Sequence, residues 1–122
     1  MPGAEWKGFD NPDETRKFDL GELRVINFTG TTVAKATFPP GWRWSEVVKP
    51  IVGTESCQQH HVGYVVSGTL EGTTDDGDKF SLTAGDAYVI HPGHDAWVAG
   101  TEEYVSLEFH SNTAETFGKP SS

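Results

Sequence analysis

Ser56-Cys57-Gln58-Gln59-His60-His61-Val62-Gly63-Tyr64-Val65-Val66-Ser67-Gly68-Thr69-Leu70 is the stretch on which the reading of the chain turns. From His60 to Val66 it is apolar and rich in valine, and Ser67-Gly68 turns it, which predicts a strand. Period-two alternation puts His61, Gly63 and Val65 on one face of that strand and His60, Val62, Tyr64 and Val66 on the other. The same stretch sets a thiol and two imidazoles at the strand's mouth. Its counterpart is Gly85-Asp86-Ala87-Tyr88-Val89-Ile90-His91-Pro92-Gly93-His94-Asp95-Ala96-Trp97. Four of the five histidines lie in these two stretches, so side-chain chemistry is expected between them.

Working outward, Glu22 to Phe28 reads as a strand, Thr29-Gly30 as a turn, and Thr31 to Phe38 as a second, β-branched strand ended by Pro39-Pro40-Gly41. Trp42-Arg43-Trp44-Ser45-Glu46 reads as a short extended piece with both indoles on one face. Residues 49–54 read as a loop. Asp75-Asp76-Gly77-Asp78 is the strongest hairpin signal, because Asp-Gly supports the positive φ of a tight turn. It joins Thr69 to Thr73 with Lys79 to Leu82. Ala87 to His91, Asp95 to Val98 and Tyr104 to His110 complete the set. No window of ten residues carries a clean 3.6-residue period, so little or no helix is expected.

Short strands with turn signals every eight to twelve residues predict an all-β sandwich or closed barrel. The expected organisation is an irregular arm over 1–20, pinned by Trp6, Phe9 and Phe18, a barrel over 21–110, and a polar tail over 111–122.

Composition narrows the partners. The 122 residues are 35% hydrophobic with 14 Gly and 7 Pro, which suits a turn-rich β domain with one core. Nine basic against 18 acidic residues give a net charge of −9, and such a chain repels phosphate backbones and anionic lipid. Neither nucleic acid nor a membrane is expected as a partner. A single cysteine, Cys57, leaves no intramolecular disulfide, and the absence of a long apolar run or signal-like segment gives a cytoplasmic expectation. The apolar outer face with Val62, Tyr64 and Val66 predicts a homodimer.

Pro40-Gly41, Tyr64-Val65-Val66-Ser67-Gly68, Gly85-Asp86 and Pro92-Gly93 together resemble the glycine and proline framework of the small single-domain cupins. The resemblance runs over residues 31–110 and implies a double-stranded β-helix, a cupin-like jelly-roll barrel. A subgroup without a settled activity is more similar still, sharing the Trp-Ser-Glu, Ser-Cys-Gln, Gly-Tyr-Val and Pro-Gly-His-Asp-Ala-Trp segments. The family's first motif, G-x5-H-x-H-x3-4-E-x6-G, puts its histidine pair at Val47 and Lys49 when counted from Gly41. Counted back from Gly68, it puts its glutamate at His61. The second motif, G-x5-P-x-G-x2-H-x3-N, puts its proline at His91 and its histidine at Ala96. The usual three-His, one-Glu set is therefore not carried, and any site here is a rebuilt one.

In the cupin register, His61 faces the lumen. It is then either a metal ligand or a core histidine satisfied by a hydrogen bond. His94, after Pro-Gly, is either a ligand or a loop-fixing ring bonded to backbone. Cys57 offers a thiolate suited to zinc, iron or copper, or is an inert buried thiol, the commoner outcome. Glu46 is the candidate oxygen ligand, or a solvated charge near Arg43. The metal candidates are thus His61, His94, Glu46 and Cys57, for a divalent ion such as Zn, Fe, Mn or Ni. The pocket candidates are Trp44, Gln59, Asp95 and Trp97. Asp95 has a turn-capping alternative, and the indoles have a core or interface alternative. The expected function is a metal-binding barrel with a site for a small organic ligand. A metal-free binding or sensing module and a dimeric interaction domain are the alternatives.

Overall fold

Residues 3–109 are described by a computed structural model. Their elements, in order, are β1 (Glu14–Lys17), β2 (Glu22–Phe28), β3 (Thr31–Phe38), α1 (Trp44–Val47), α2 (Lys49–Val52), β4 (His61–Ser67), β5 (Thr69–Thr74), β6 (Lys79–Thr83), β7 (Ala87–Ile90), β8 (His94–Ala99) and β9 (Tyr104–Phe109). They form a six-stranded sheet in the order β1-β2-β3-β9-β4-β7 and a three-stranded sheet in the order β6-β5-β8. All the pairings are antiparallel. This is the all-β architecture expected from the strand and turn pattern, in the double-stranded β-helix form that the cupin resemblance implies.

Alternation in sequence becomes alternation in burial. In β4 the inward set is His61, Gly63 and Val65, while Tyr64 and Val66 are exposed. In β9 Tyr104, Ser106 and Glu108 are buried and Val105 and Leu107 lie outside them. In β8 His94, Ala96 and Val98 are buried. The inner faces of both sheets meet in one core that includes Leu23, Val25, Phe38, Trp42, Val65, Leu70 and Tyr104. Burying that apolar surface is the main stabilising term of such a domain. Outside, half-buried Val62, Tyr64 at 44% and Val66 at 48% exposure make up the apolar face on which the dimer expectation rests, and Val89, 54% exposed, stands opposite Val62 on β7.

The Asp75–Asp78 turn forms as read: Gly77 has φ 92°, and the Thr74 N–H donates to the Asp78 carbonyl at 2.8 Å. Gly63 is constrained by close approach rather than by φ. A Cβ there would run into the Leu107 carbonyl and sit 2.7 Å from the Tyr88 hydroxyl.

Two local expectations are corrected. Extended backbone ends at Arg43, with φ −143° and ψ 130°, and α1 and α2 replace the extended piece at 44–46 and the loop at 49–52. The cause is long-range: the Ser45 N–H donates to Asp95 Oδ1 at 3.1 Å, fifty residues away, and starts the turn. Pro50 then fits a first helical turn, and Gly53 in the left-handed region ends α2. The arm is also less irregular than expected, because β1 pairs with β2 from Glu14↔Val25 to Lys17↔Glu22. Its polar Glu-Thr-Arg-Lys sequence has no apolar alternation to reveal it. Phe18 does pin the arm, packing against Phe38, but Trp6 is 85% exposed. His110 and the tail expected over 111–122 lie outside the described residues. No helix among the described residues is long and apolar enough to cross a membrane.

Candidate metal centre

Cys57 reaches the site because its backbone is tied to the start of β8. Its N–H donates to the His94 carbonyl at 2.7 Å, and its own carbonyl accepts from the N–H groups of Gly93 and His94 at 2.7 and 3.2 Å. The turn that carries it is fixed further by Ser56 Oγ, which donates to Asp75 Oδ2 at 2.9 Å, and by Asp75 N–H, which donates to the Gly93 carbonyl at 2.9 Å. His61 opens β4 opposite Ile90 of β7. A loop and the first residues of two strands, one in each sheet, therefore deliver three side chains to one point. The ligating atoms of Cys57, His61 and His94 all lie within 4.8 Å of one another, and all three residues are buried.

The ring nitrogens are assigned by their partners. His94 Nδ1 lies 2.9 Å from the His91 carbonyl, which can only accept, so Nδ1 carries a proton and Nε2 is free to face the cluster. His61 Nδ1 lies 2.8 Å from Glu108 Oε1, which leaves Nε2 turned to Cys57 Sγ at 3.7 Å. Glu108 is held from its other oxygen by the Tyr88 hydroxyl, which donates at 2.7 Å. The two rings meet edge to face with centroids 5.1 Å apart.

Burial opposes charge on both Cys57 and His61, yet each is stabilised in its charged form by neighbours. For Cys57, burial raises the thiol, but hydrogen bonds from His61 and His94 outweigh it and bring the pKa down to about 7. For His61, burial lowers the imidazolium, but the Glu108 charge and the Cys57 thiolate raise it to about 10. Burial and the Glu108 charge push the Tyr88 phenol far up, so it stays a donor.

Beside the cluster lies a cavity of about 40 Å³, walled by aromatic and aliphatic side chains such as Phe38, Trp42, Trp44, Ile90 and Tyr104. Of the four expected metal ligands, His61, His94 and Cys57 converge there. Glu46 does not: it is exposed on α1, outside the cluster. Of the four expected pocket residues, Trp44 lines the cavity. Gln59 is half-buried outside that lining. Asp95 and Trp97 alternate onto the outer face of β8, where Arg43 stacks 4.3 Å over the Trp97 ring. There Asp95 accepts from Ser45, the capping role rather than the pocket role. The sequence reading missed Glu108 and Tyr88. The signal was present in Tyr104-Val105-Ser106-Leu107-Glu108, whose alternation buries the acid with Tyr104 on the lumen face.

No family model matches the sequence, and no curated protein matches it. Solved structures do. KdgF from Halomonas sp. is 21% identical with a TM-score of 0.58, covering 88% of this chain and 93% of its own. An uncharacterized conserved protein with a double-stranded beta-helix domain from Klebsiella pneumoniae is 19% identical with a TM-score of 0.57, covering 88% and 84%. Oxalate decarboxylase from Lactobacillus farciminis, in a formate complex, is 21% identical with a TM-score of 0.56 over 79% of this chain. The chain spans 30% of the length of that decarboxylase. The likeness is one of architecture, and that architecture is the double-stranded β-helix.

Proposed function

We propose that the protein binds one divalent metal ion through Cys57 Sγ, His61 Nε2 and His94 Nε2, with a fourth position open to the cavity for a small organic ligand. The observation that carries this reading is the orientation of the two rings. Each spends its Nδ1 proton on a fixed acceptor, Glu108 for His61 and the His91 carbonyl for His94, so both Nε2 atoms are pre-set towards Cys57. Metal-ligating histidines are commonly held in this way, by a carboxylate or a backbone carbonyl on the far nitrogen. Three protein ligands with one open position is also the donor count of catalytic rather than structural zinc.

Of the metals open from sequence, the thiolate favours zinc or iron over manganese, and zinc suits a mixed sulfur and imidazole set. Copper uses the same donor types and is the competing occupant. When bound, the ion supplies Lewis acidity to an oxygen of the ligand. The chain's own part is to orient and to exclude water. Glu108 holds the Nδ1 proton of His61, Tyr88 holds Glu108, and the apolar walls keep bulk solvent from the open position.

Elemental analysis of protein purified without chelator tests this reading. About one equivalent of zinc, copper or iron is expected in the wild type, and near-complete loss is expected in His61→Ala. Metal that stays substoichiometric and unchanged in His61→Ala supports instead a metal-free binding module, the reading that the apolar cavity alone would favour.

A further inference from the structure

Two histidines outside the Cys57, His61 and His94 cluster meet where β4 and β7 come together. His61 stands opposite Ile90 in the end pair of that ladder, and His60 and His91 follow one step beyond it. His61 and Ile90 are buried on the lumen face, so alternation sends the next residue on each side to the outer face. There His91 is exposed and His60 half-buried. Their ring centroids lie 5.5 Å apart, with 33° between the planes. Residues directly opposite each other in an antiparallel pair are side-chain neighbours, with Cβ atoms about 4.5–5.5 Å apart. The ends of two paired strands therefore set the spacing of these two imidazoles.

We propose that His60 and His91 form a second, surface site for one divalent transition-metal ion, separate from the buried centre. Spacing supports it. Two imidazoles side by side on one ion, with metal–nitrogen bonds of about 2.1 Å, have ring centres about 5 Å apart. The outer pair at 5.5 Å is close to that, and close to the 5.1 Å between His61 and His94. Donor type sets the class of ion. Imidazoles without a thiolate suit Ni(II), Cu(II) or Zn(II), whereas magnesium and calcium take oxygen ligands. The exposed side of the pair leaves the remaining coordination positions to water. An ion held there would tie off the open end of the β4–β7 pairing. It would also steady the His91 peptide, whose carbonyl lies 2.9 Å from His94 Nδ1 and orients that ring. None of the buried ligands takes part, so the outer pair stands whether or not the buried centre fills.

The probe is Ni(II), titrated into tag-free protein given one equivalent of zinc, with Mg(II) as the comparison ion. The readout is the NMR signal of the Val89 methyl groups, assigned by their loss in Val89→Ala. Val89 shares the outward face of β7 with His91, two positions along, and stands opposite Val62. A paramagnetic ion on the histidine pair is close enough to broaden its methyls. Nickel is expected to broaden them in the wild type, and magnesium to leave them sharp. In His91→Asn the broadening should vanish, and nickel affinity followed by calorimetry should fall at least about tenfold. His91 is exposed, so that variant is expected to fold, and His60→Asn should act in the same direction. Either loss breaks the chelate, so the double variant should bind about as weakly as either single one. If elemental analysis finds no zinc and nickel still broadens the Val89 methyls, the buried-centre reading fails and the outer site stands. Val89 methyls that stay sharp up to saturating nickel would reduce the pair to a ring contact and overturn the inference. Magnesium acting as nickel does, losses that add in the double variant, or full nickel affinity in His91→Asn would overturn it equally.

Discussion

The Glu108 carboxylate lies 2.8 Å from His61 Nδ1, on the neighbouring strand of the same sheet, and is itself gripped by the Tyr88 hydroxyl at 2.7 Å. The pair fixes which nitrogen of His61 faces Cys57, and the Glu108 charge is the largest influence holding the imidazolium against burial. Glu108→Gln keeps the shape and removes that charge. Metal affinity should fall by about 10- to 100-fold, the usual loss when such a supporting carboxylate is removed. In the metal-free variant, the His61 titration followed by NMR should move down from about 10. Unchanged values for both would mean that Glu108 supports neither the ring nor its charge.

Gly63 stands directly opposite Glu108 in the β4–β9 register. An added methyl would press on the Leu107 carbonyl and sit 2.7 Å from the Tyr88 hydroxyl, so backbone or phenol must shift. Gly63→Ala should cost roughly 1–3 kcal/mol in chemical denaturation, as overpacking does. By displacing Tyr88 it should also weaken the metal site. A variant as stable as the wild type would show that β9 yields easily, which this packing does not allow.

Much of this was legible from the chain, for a physical reason. Strand faces follow a strict period of two, so His61, Gly63 and Val65 could be grouped on one face from sequence; the cupin resemblance turned that face to the lumen, and the structure buries it. His94 was placed by Pro92-Gly93, where Gly93 takes φ 94°. Two of the failures share one cause, which is that their determinants are remote in sequence. Asp95 caps a turn fifty residues earlier, which drew Trp44 to Glu46 into a helix and left Glu46 outside. Glu108 meets His61 from 47 residues away: alternation along β9 puts it on the buried face, but nothing local names its partner. Trp97 looked like a pocket residue by type, but alternation from His94 places it outside with Arg43.

The Cys57 and His61 shifts have opposite signs and overlap in pH. His61, raised from 6.5 to about 10, contributes stability that is fully present below pH 6.5 and lost as pH rises through about 10. Cys57, lowered from 9.0 to about 7, contributes stability that is present above pH 9.0 and lost as pH falls through about 7. Between about 7 and 9.0 the folded state keeps the His61 proton and the unfolded state keeps the Cys57 proton, so the two slopes cancel. Chelator-treated protein should therefore show a flat contribution from this pair across that window and a decline from pH 9.0 towards 10. Denaturation midpoints of the wild type minus those of a Cys57→Ala, His61→Leu double variant isolate it. A slope confined to pH 7–9.0 would contradict the assignment.

The most direct measurement is X-ray absorption spectroscopy of the zinc-loaded protein at the metal edge. One sulfur at about 2.3 Å and two imidazole nitrogens at about 2.0–2.1 Å are predicted, with a fourth light-atom scatterer from solvent or ligand. Loss of the sulfur shell in Cys57→Ser and of one imidazole in His94→Ala should follow. A wild-type spectrum with no sulfur scatterer, or with imidazole signals that survive loss of both His61 and His94, would contradict the proposed centre.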